Sequence, residues 1–464
     1  MIDLNNRLNV FGITLGAALS LHLLVRRVLE FSKPPLPPSP RSYPLIGHLF
    51  SMPKSNEHLG FIELGKQLKT DIFSLTVFGQ TMIVLNSVEE AIKLLQNRSG
   101  IYSDRPRPVM LTEPSLMDAG KIMIERPGHA RALSGTLLRS IYGYQIHGGD
   151  DPILKEAVQL VHNLSDAVMP TNFLVNIFPS LRHFPTWLPG AGWKRVAHKW
   201  REQKENIVRD LYNKAKAGIA SGNHEPNIVA SSLATAEDLG IPPEEVDDYL
   251  SHAGITLYLA GAETTSNVFL VFAIVMMLYP EVQRKAQAEI DSLLGDSRLP
   301  VMDDLHQLPY TNCVIQEVLR WCPVVPTGVP HAATSDDLYQ GFRIPKGAIV
   351  FANIWAMSRN EKVYHEPEKF NPDRFLDPSV PPCPIFGFGR RECPGNHFAG
   401  SSIFIVISSF LALFNFRIPK RTSGEEIVPE LTCKNTMIYH PDEFLVKLEL
   451  RSPRRASLAR AMEG

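Results

Sequence analysis

The chain has 464 residues, and 47 Lys and Arg against 48 Asp and Glu leave a formal net charge of −1. That balance excludes the basic excess of a nucleic-acid binder, and 44% hydrophobic with 20% charged residues is a globular mix with material for a large core. Five Cys, an odd number without regular spacing, exclude a disulfide framework and suggest a reducing compartment.

Residues 8–25, LNVFGITLGAALSLHLLV, carry no charge. As a helix they span ~27 Å, close to the ~30 Å hydrocarbon core of a bilayer. A cleaved signal peptide would have its positive charge ahead of the apolar run, whereas here Arg26, Arg27 and Lys33 follow it. The stretch is expected to be an uncleaved transmembrane anchor with the following chain in the cytosol. Prolines at 34, 35, 37, 38, 40 and 44 make 26–50 a stiff, extended hinge that holds the body at the membrane face.

Asp71–Phe78 and Gln80–Asn86 alternate around Gly79 and predict a hairpin. SVEEAIKLLQN follows as a helix capped by Ser87. After it the chain reads as mainly helical. The longest helix is predicted from IPPEEVDDYL to about Tyr279, opened by Pro242 and Pro243 and by acidic residues that suit a helix N-terminus. Its second half is apolar all round, as in a fully buried helix. Five consecutive polar residues, Glu263 to Asn267, exclude a second membrane span there. A short β region is predicted over Leu338–Phe351. A last helix is predicted from about Pro394 through SSIFIVISSFLALFNF, and RSPRRASLAR reads as a basic, solvated tail. No repeat or linker divides the body, so 51–464 is expected to be one domain, mainly α with small β-sheets (α+β).

Three groups of residues carry chemistry. The first is FGFGRRECPG, Phe386 to Gly395. Gly387 and Gly389 allow a tight turn. Cys393 precedes Pro394, a residue suited to the first position of a helix, so its sulfur is expected at a positive helix end facing the amides of Gly395 and Asn396. Phe386 is placed to shield the sulfur, and Arg391 offers a cationic fork for a carboxylate. Thiolate, dry shield and carboxylate clamp together describe a haem site with an axial Cys. A structural Cys in a glycine turn is the plainer reading of Cys393 alone. The second group is AGAETT, 260–265, at mid-helix. Gly261 leaves room for a flat cofactor. A Thr hydroxyl can bond a carbonyl one turn back and loosen the helix, and Glu263 beside Thr264 would form an acid–alcohol proton relay. A polar kink in a core helix accounts for the motif equally well. The third is Glu317-Val-Leu-Arg320, whose i, i+3 spacing places acid and base on one helix face, with Arg374 of FNPDRF as third member. An ordinary surface ion pair is the commoner outcome of that spacing.

Taken together these segments resemble the cytochrome P-450 haem-thiolate family. FGFGRRECPG matches its FxxGxRxCxG loop, AGAETT its oxygen-activation helix, EVLR its ExxR element and FNPDRF its meander, in the family's order over about 241–416. The anchor and hinge resemble the microsomal branch. FPTWLPGAGWKRVA and VPTGVPHAATSDDLYQGFRIPKGAIVFANIWAM resemble fungal secondary-metabolism members. The resemblance implies haem b with Cys393 as axial iron ligand, and Arg391 and His331 on the haem propionates. It also implies that Glu263 and Thr264 deliver protons, and that a Glu317–Arg320–Arg374 triad holds the Cys loop. It further implies a monooxygenase of the endoplasmic reticulum membrane. Electrons would come from NADPH through cytochrome P-450 reductase, with cytochrome b5 as an additional partner, and one atom of O2 would enter a lipophilic substrate such as a terpenoid or polyketide. No nucleic-acid partner is implied. By family position the pocket draws on 108–116, 257–264, 324–329 and 435–438.

One segment departs from the family. DRPRPVMLTEPSLMDAG runs almost directly into KIMIERPGHARALSGTLLRSIYGYQI, with no Trp between Asp104 and Phe184, so an early haem-contacting helix is expected to be missing near 118–130. Two readings therefore stand beside the monooxygenase: an impaired haem-binding protein, and a haem-thiolate isomerase or dehydratase that takes up no O2. The Glu263-Thr264 pair argues against the latter.

Overall fold

The computed structural model describes residues 33–119, 134–145, 151–168, 172–238, 240–430 and 437–460. The expected anchor at 8–25 lies outside them, as does most of the 118–130 junction.

The predicted hairpin forms. Strands β1 (Ile72–Val77) and β2 (Gln80–Leu85) pair antiparallel around Phe78 and Gly79. Both turn residues have positive φ, as a two-residue hairpin loop demands. The helix after Ser87 also forms, with the Ser87 hydroxyl accepting from the Glu90 amide, but it turns into a π-helical stretch over Ile92–Gln96. The later β region divides in two. β4 (Asp337–Tyr339) and β5 (Phe342–Ile344) make a separate hairpin. β6 (Ile349–Ala352) pairs parallel with β2 and antiparallel with β3 (His331–Ala332), giving the order β1-β2-β6-β3.

The proline segment is not a free spacer along its whole length. The carbonyls of Pro37 and Pro38 accept from the Ser74 hydroxyl (2.7 Å) and amide (2.8 Å), and Pro35 accepts from the Arg343 amide. His48 accepts from the Thr76 amide through Nδ1 (2.7 Å), and its Nε2 then donates to the Pro40 carbonyl (3.1 Å). Prolines lack amide donors but keep carbonyls, so they cover the open edge of β1 without offering a new edge.

Among the described residues, ten helices of seven residues or more frame the body: α1 (Glu57–Leu68), α2 (Ser134–Tyr142), α3 (Pro152–Val168), α4 (Gly192–Ala220), α5 (Ile228–Ala234), α6 (Val246–Leu278), α7 (Pro280–Leu294), α8 (Pro309–Trp321), α9 (Asn396–Leu413) and α10 (Pro453–Arg460). The long helix α6 starts at Val246, within the predicted IPPEEVDDYL segment but after its prolines, because Pro243–Glu245 form a 3-10 turn. Its 33 residues run ~50 Å. Leu250 to Ala262 pack into one core cluster with α2, α3 and α4. Val268 to Met277 pack into another with α7, α8 and α9. The polar run 263–267 sits at the divide between them. Among the described residues α6 and α9 are the two helices long and apolar enough to cross a membrane, and most of the α6 window is buried in the protein.

Two expectations at the C-terminal end fail. The last predicted helix stops at Leu413, and Phe414–Arg417 is instead β7, paired with β8 (Lys447–Leu450). Side chains of α7 satisfy the strand's backbone: Gln283 accepts from the Phe416 amide (2.7 Å), and Gln287 donates to the Phe414 carbonyl (2.9 Å). RSPRRASLAR is not a solvated tail, since α10 docks on the body through a buried Arg455.

Candidate functional site

The Cys loop is shaped by its backbone. The Phe386 carbonyl accepts from the Cys393 amide at 2.7 Å, and Gly387 and Gly389 have φ +84° and +62°. At Gly389 a Cβ would lie 2.4 Å from the Leu95 carbonyl oxygen. That position therefore needs glycine both for its φ and for the approach of the π-helical stretch beneath it. Helix α9 begins at Asn396 with Gly395 as cap, not at Pro394. The Gly395 amide bonds the Cys393 sulfur and favours thiolate, but the Asn396 amide donates to the Cys393 carbonyl instead. Burial is the larger influence and pushes the thiol up. The helix end alone thus does not hold a thiolate as the spacing suggested; a bound metal cation is what would deprotonate this sulfur. Cys393 is half-buried, whereas Cys313, Cys322 and Cys383 are buried, and among the described residues all four are unbridged.

Arg391 and His331 come together as predicted, with a third cation the sequence reading did not single out. Arg391 donates from Nε to the Ser103 carbonyl (2.6 Å), and His331 Nδ1 lies 2.6 Å from the Tyr102 carbonyl. Asp104 bridges Ala332, which threads 102–105 along β3. Arg105 then reaches the carbonyls of Val329 (2.8 Å) and Pro330 (2.9 Å). Burial first, then Arg391, lower the Arg105 guanidinium to about 10. Burial first, then Arg105, lower His331 to about 4. Two guanidiniums, Arg105 and Arg391, thus stand beside a buried His331 that they and burial hold in its neutral form, a site in want of an anion. Nothing local in DRPRP separates Arg105 from the exposed Arg107; only the pairing of Asp104 with β3 does.

On α6 the Thr264 hydroxyl donates to the Ala260 carbonyl at 2.8 Å, one turn back as predicted, and Gly261 is buried. Ala260 is exposed at the middle of this otherwise covered helix. Glu263 does not bond Thr264. Among the described residues its Oε2 is buried without a hydrogen-bond partner, and the imidazoles of His162 of α3 and His440 act on it. Burial holds the carboxyl above its usual range, and the two imidazoles oppose the shift.

Glu317, Arg320 and Arg374 do assemble. Glu317 and Arg320 are wholly buried and joined by two bonds of 2.7 and 2.8 Å, and Arg374 adds a third at 3.2 Å. The Glu317 carboxylate also accepts the Asn371 amide (2.8 Å), and Arg320 donates to the Ser358 carbonyl (2.8 Å). The triad thus pins α8 to the chain at 358–374, the stretch that leads into the Cys loop.

The family model for cytochrome P450 matches residues 131–447. Cytochrome P450 monooxygenase 208 of Postia placenta is 35% identical, over 96% of this chain and 97% of its own length. The chain belongs to the cytochrome P450 family. A cytochrome P450 monooxygenase of Armillaria gallica (34%, 94% of this chain and 96% of the relative) and the cytochrome P450 monooxygenase ple1 of Rhodocybe pseudopiperita (34%, 92% and 91%) are similar to the same extent. This cytochrome P450 is therefore an oxidoreductase of the monooxygenase type, with the mainly α fold and the haem cofactor of its family. The residues present fit that group: a half-buried thiol at the start of α9 suits iron, and the Arg105–Arg391–His331 cluster suits a carboxylate edge. The alignment with the Postia protein spans 503 positions, more than the 464 residues of the whole chain, so the relative has segments without a counterpart here.

Proposed function

We propose that this cytochrome P450 inserts one atom of O2 into a C–H bond or double bond of a lipophilic substrate in fungal secondary metabolism. NADPH would supply electrons through cytochrome P-450 reductase, with cytochrome b5 as a second donor. The observation that carries this reading is the joint geometry of the Cys393 loop and the Arg105–Arg391–His331 cluster. Bound haem b supplies the oxygen-activating chemistry. Cys393 Sγ would hold the iron, Arg391 and Arg105 would fix the propionates by charge, and His331 would stand beside them. Phe386 and its loop keep water from the sulfur. Burial raises the Glu263 carboxyl, which would give and regain a proton, with the Thr264 hydroxyl next to it in the chain as the second group of the relay. Glu317, Arg320 and Arg374 keep the loop in register. Among the pocket positions, Met110, Leu111, Leu257 and Tyr258 are apolar and deeply buried, which suits a terpenoid- or polyketide-like substrate.

An endoplasmic reticulum site with the body facing the cytosol is part of the proposal. Leu45 and Phe50 are exposed, Gly47 between them bridges Val77, and neighbouring Phe78 packs on Phe178 at 4.6 Å. Leu174 and Trp187, close to Phe178 in the chain, are also exposed, Trp187 at 79%. We read these exposed apolar side chains as a surface that meets lipid. We also read 118–130 as a junction from which an early helix is missing; the surplus of aligned positions supports this, as does a family match that starts at residue 131. It favours a second reading, an impaired haem-binding protein. The reduced, CO-bound spectrum of the purified protein decides between them. A red-shifted thiolate Soret band that Cys393→Ala abolishes is expected. Absence of the band from the wild-type chain would establish the impaired reading.

A further inference from the structure

The C-terminal segment that composition marks as a solvated tail is a latch. Arg451 lies 2.5 Å from Asp291 of α7 and also reaches the Leu411 (3.2 Å) and Ala412 (3.3 Å) carbonyls at the end of α9. Arg455 binds Asp291 at 2.6 Å and Asp296 at 2.5 Å, and donates to the Ala412 carbonyl. Ser452 caps α10, with its hydroxyl accepting from the Arg455 amide, and Pro453 opens it. Four ionic side chains thus fasten the last helix to α7 and to the far end of α9, the helix whose start follows Cys393.

The same ten residues contain Arg454-Arg455-Ala456-Ser457-Leu458. Two arginines two and three places before a serine, with an apolar residue after it, suit a serine kinase whose substrate groove is acidic and ends in an apolar pocket. Ser457 and Arg454 are exposed, and among the described residues the Ser457 hydroxyl is held by its own helix, through the Arg454 carbonyl at 2.6 Å. Arg455 is buried in the latch. A kinase can read both arginines only when α10 lifts off.

We propose that Ser457 is a phosphorylation site for an arginine-directed serine kinase, and that the modification releases α10 from its aspartate latch. The γ-phosphoryl group of MgATP passes to Ser457 Oγ. The bond to ADP breaks as the new P–O bond forms, and the hydroxyl proton goes to the kinase base. The product carries a charge of about −1.5 to −2 with three acceptor oxygens. It stands in the last turn of an eight-residue helix, where the negative end of the helix dipole repels it. It also competes with Asp291 and Asp296 for Arg455. Both effects favour the undocked state.

The test is incubation of the full-length protein with the catalytic subunit of a cyclic-AMP-dependent kinase and MgATP, with the phosphate located by mass spectrometry. Phosphate on Ser457 is expected, and Ser457→Ala removes it. Arg454→Ala, at an exposed position, lowers the rate at least about tenfold. Asp291→Asn with Asp296→Asn raises it severalfold by loosening the latch, and equal rates would overturn the latch. Hydrogen exchange at the amides of 454–460 rises severalfold on phosphorylation of the wild-type chain; unchanged exchange would overturn the release. The whole proposal fails if a peptide of residues 451–460 accepts phosphate while neither the wild-type chain nor the double variant does.

Discussion

Burial raises the Glu263 carboxyl above its ordinary range, and His162 and His440 only partly offset that cost; among the described residues its Oε2 has no hydrogen-bond partner. The native state therefore holds the proton longer than the unfolded chain does. The residue's effect on stability is neutral in acid and grows unfavourable as pH rises through the native value. Glu263→Gln is expected to unfold at a higher temperature than wild type at pH 8, with the gap closing as the pH falls below the carboxylate range. Thermal melts at several pH values check this, and a gap independent of pH would show that the carboxyl charge is not its cause. The identity and address of this acid on α6 are plain from AGAETT. Its lack of a bond to Thr264 is not, because rotamer and neighbours at 162 and 440 come from other parts of the chain.

Elements hold the Cys loop from two sides. Beneath it, Gly389 admits the Leu95 carbonyl to within van der Waals reach, so Gly389→Ala meets both a clash and an unfavourable φ. The variant is expected to lose more than about 1 kcal/mol of stability, read as a lower denaturant midpoint. Behind it, Glu317 neutralises Arg320 and Arg374 inside α8 and the 358–374 stretch. Glu317→Ala leaves Arg320 buried without a counter-charge. It should cost about 3–5 kcal/mol, and urea unfolding of the purified protein measures it. A loss near that of a surface pair, below about 1 kcal/mol, would mean that the charge is solvated after all. The i, i+3 spacing made this pair legible in the sequence. The strand β7 was not legible, because Phe414 to Phe416 continue an apolar helix and only the glutamines of α7 reward the extended form.

At the scale of the whole molecule, Phe78 packs on Phe178 a hundred positions away, and the exposed Leu45, Phe50, Phe178 and Trp187 are the side chains we read as one lipid-meeting face. In vesicles carrying brominated lipid, part of the tryptophan emission should be quenched, and Trp187→Phe should remove that part. Quenching unchanged by the substitution would place this face away from the bilayer. Motifs whose residues lie within a few positions of one another were readable from the chain alone: the Cys loop and its glycines, the Glu317–Arg320 pair, the Thr264 back-bond and the first hairpin. Their geometry is set by local dihedrals and helix periodicity, and so was the family they spell. Tertiary structure decided the rest. It added Arg105 to the cation cluster through the pairing of Asp104 with β3, and it seated the proline run on the open edge of β1. It also turned a basic tail into a docked helix through Asp291 and Asp296, and it let burial outweigh the helix end at Cys393. Each of these depends on charge and solvent exclusion between distant segments, which sequence order does not encode locally.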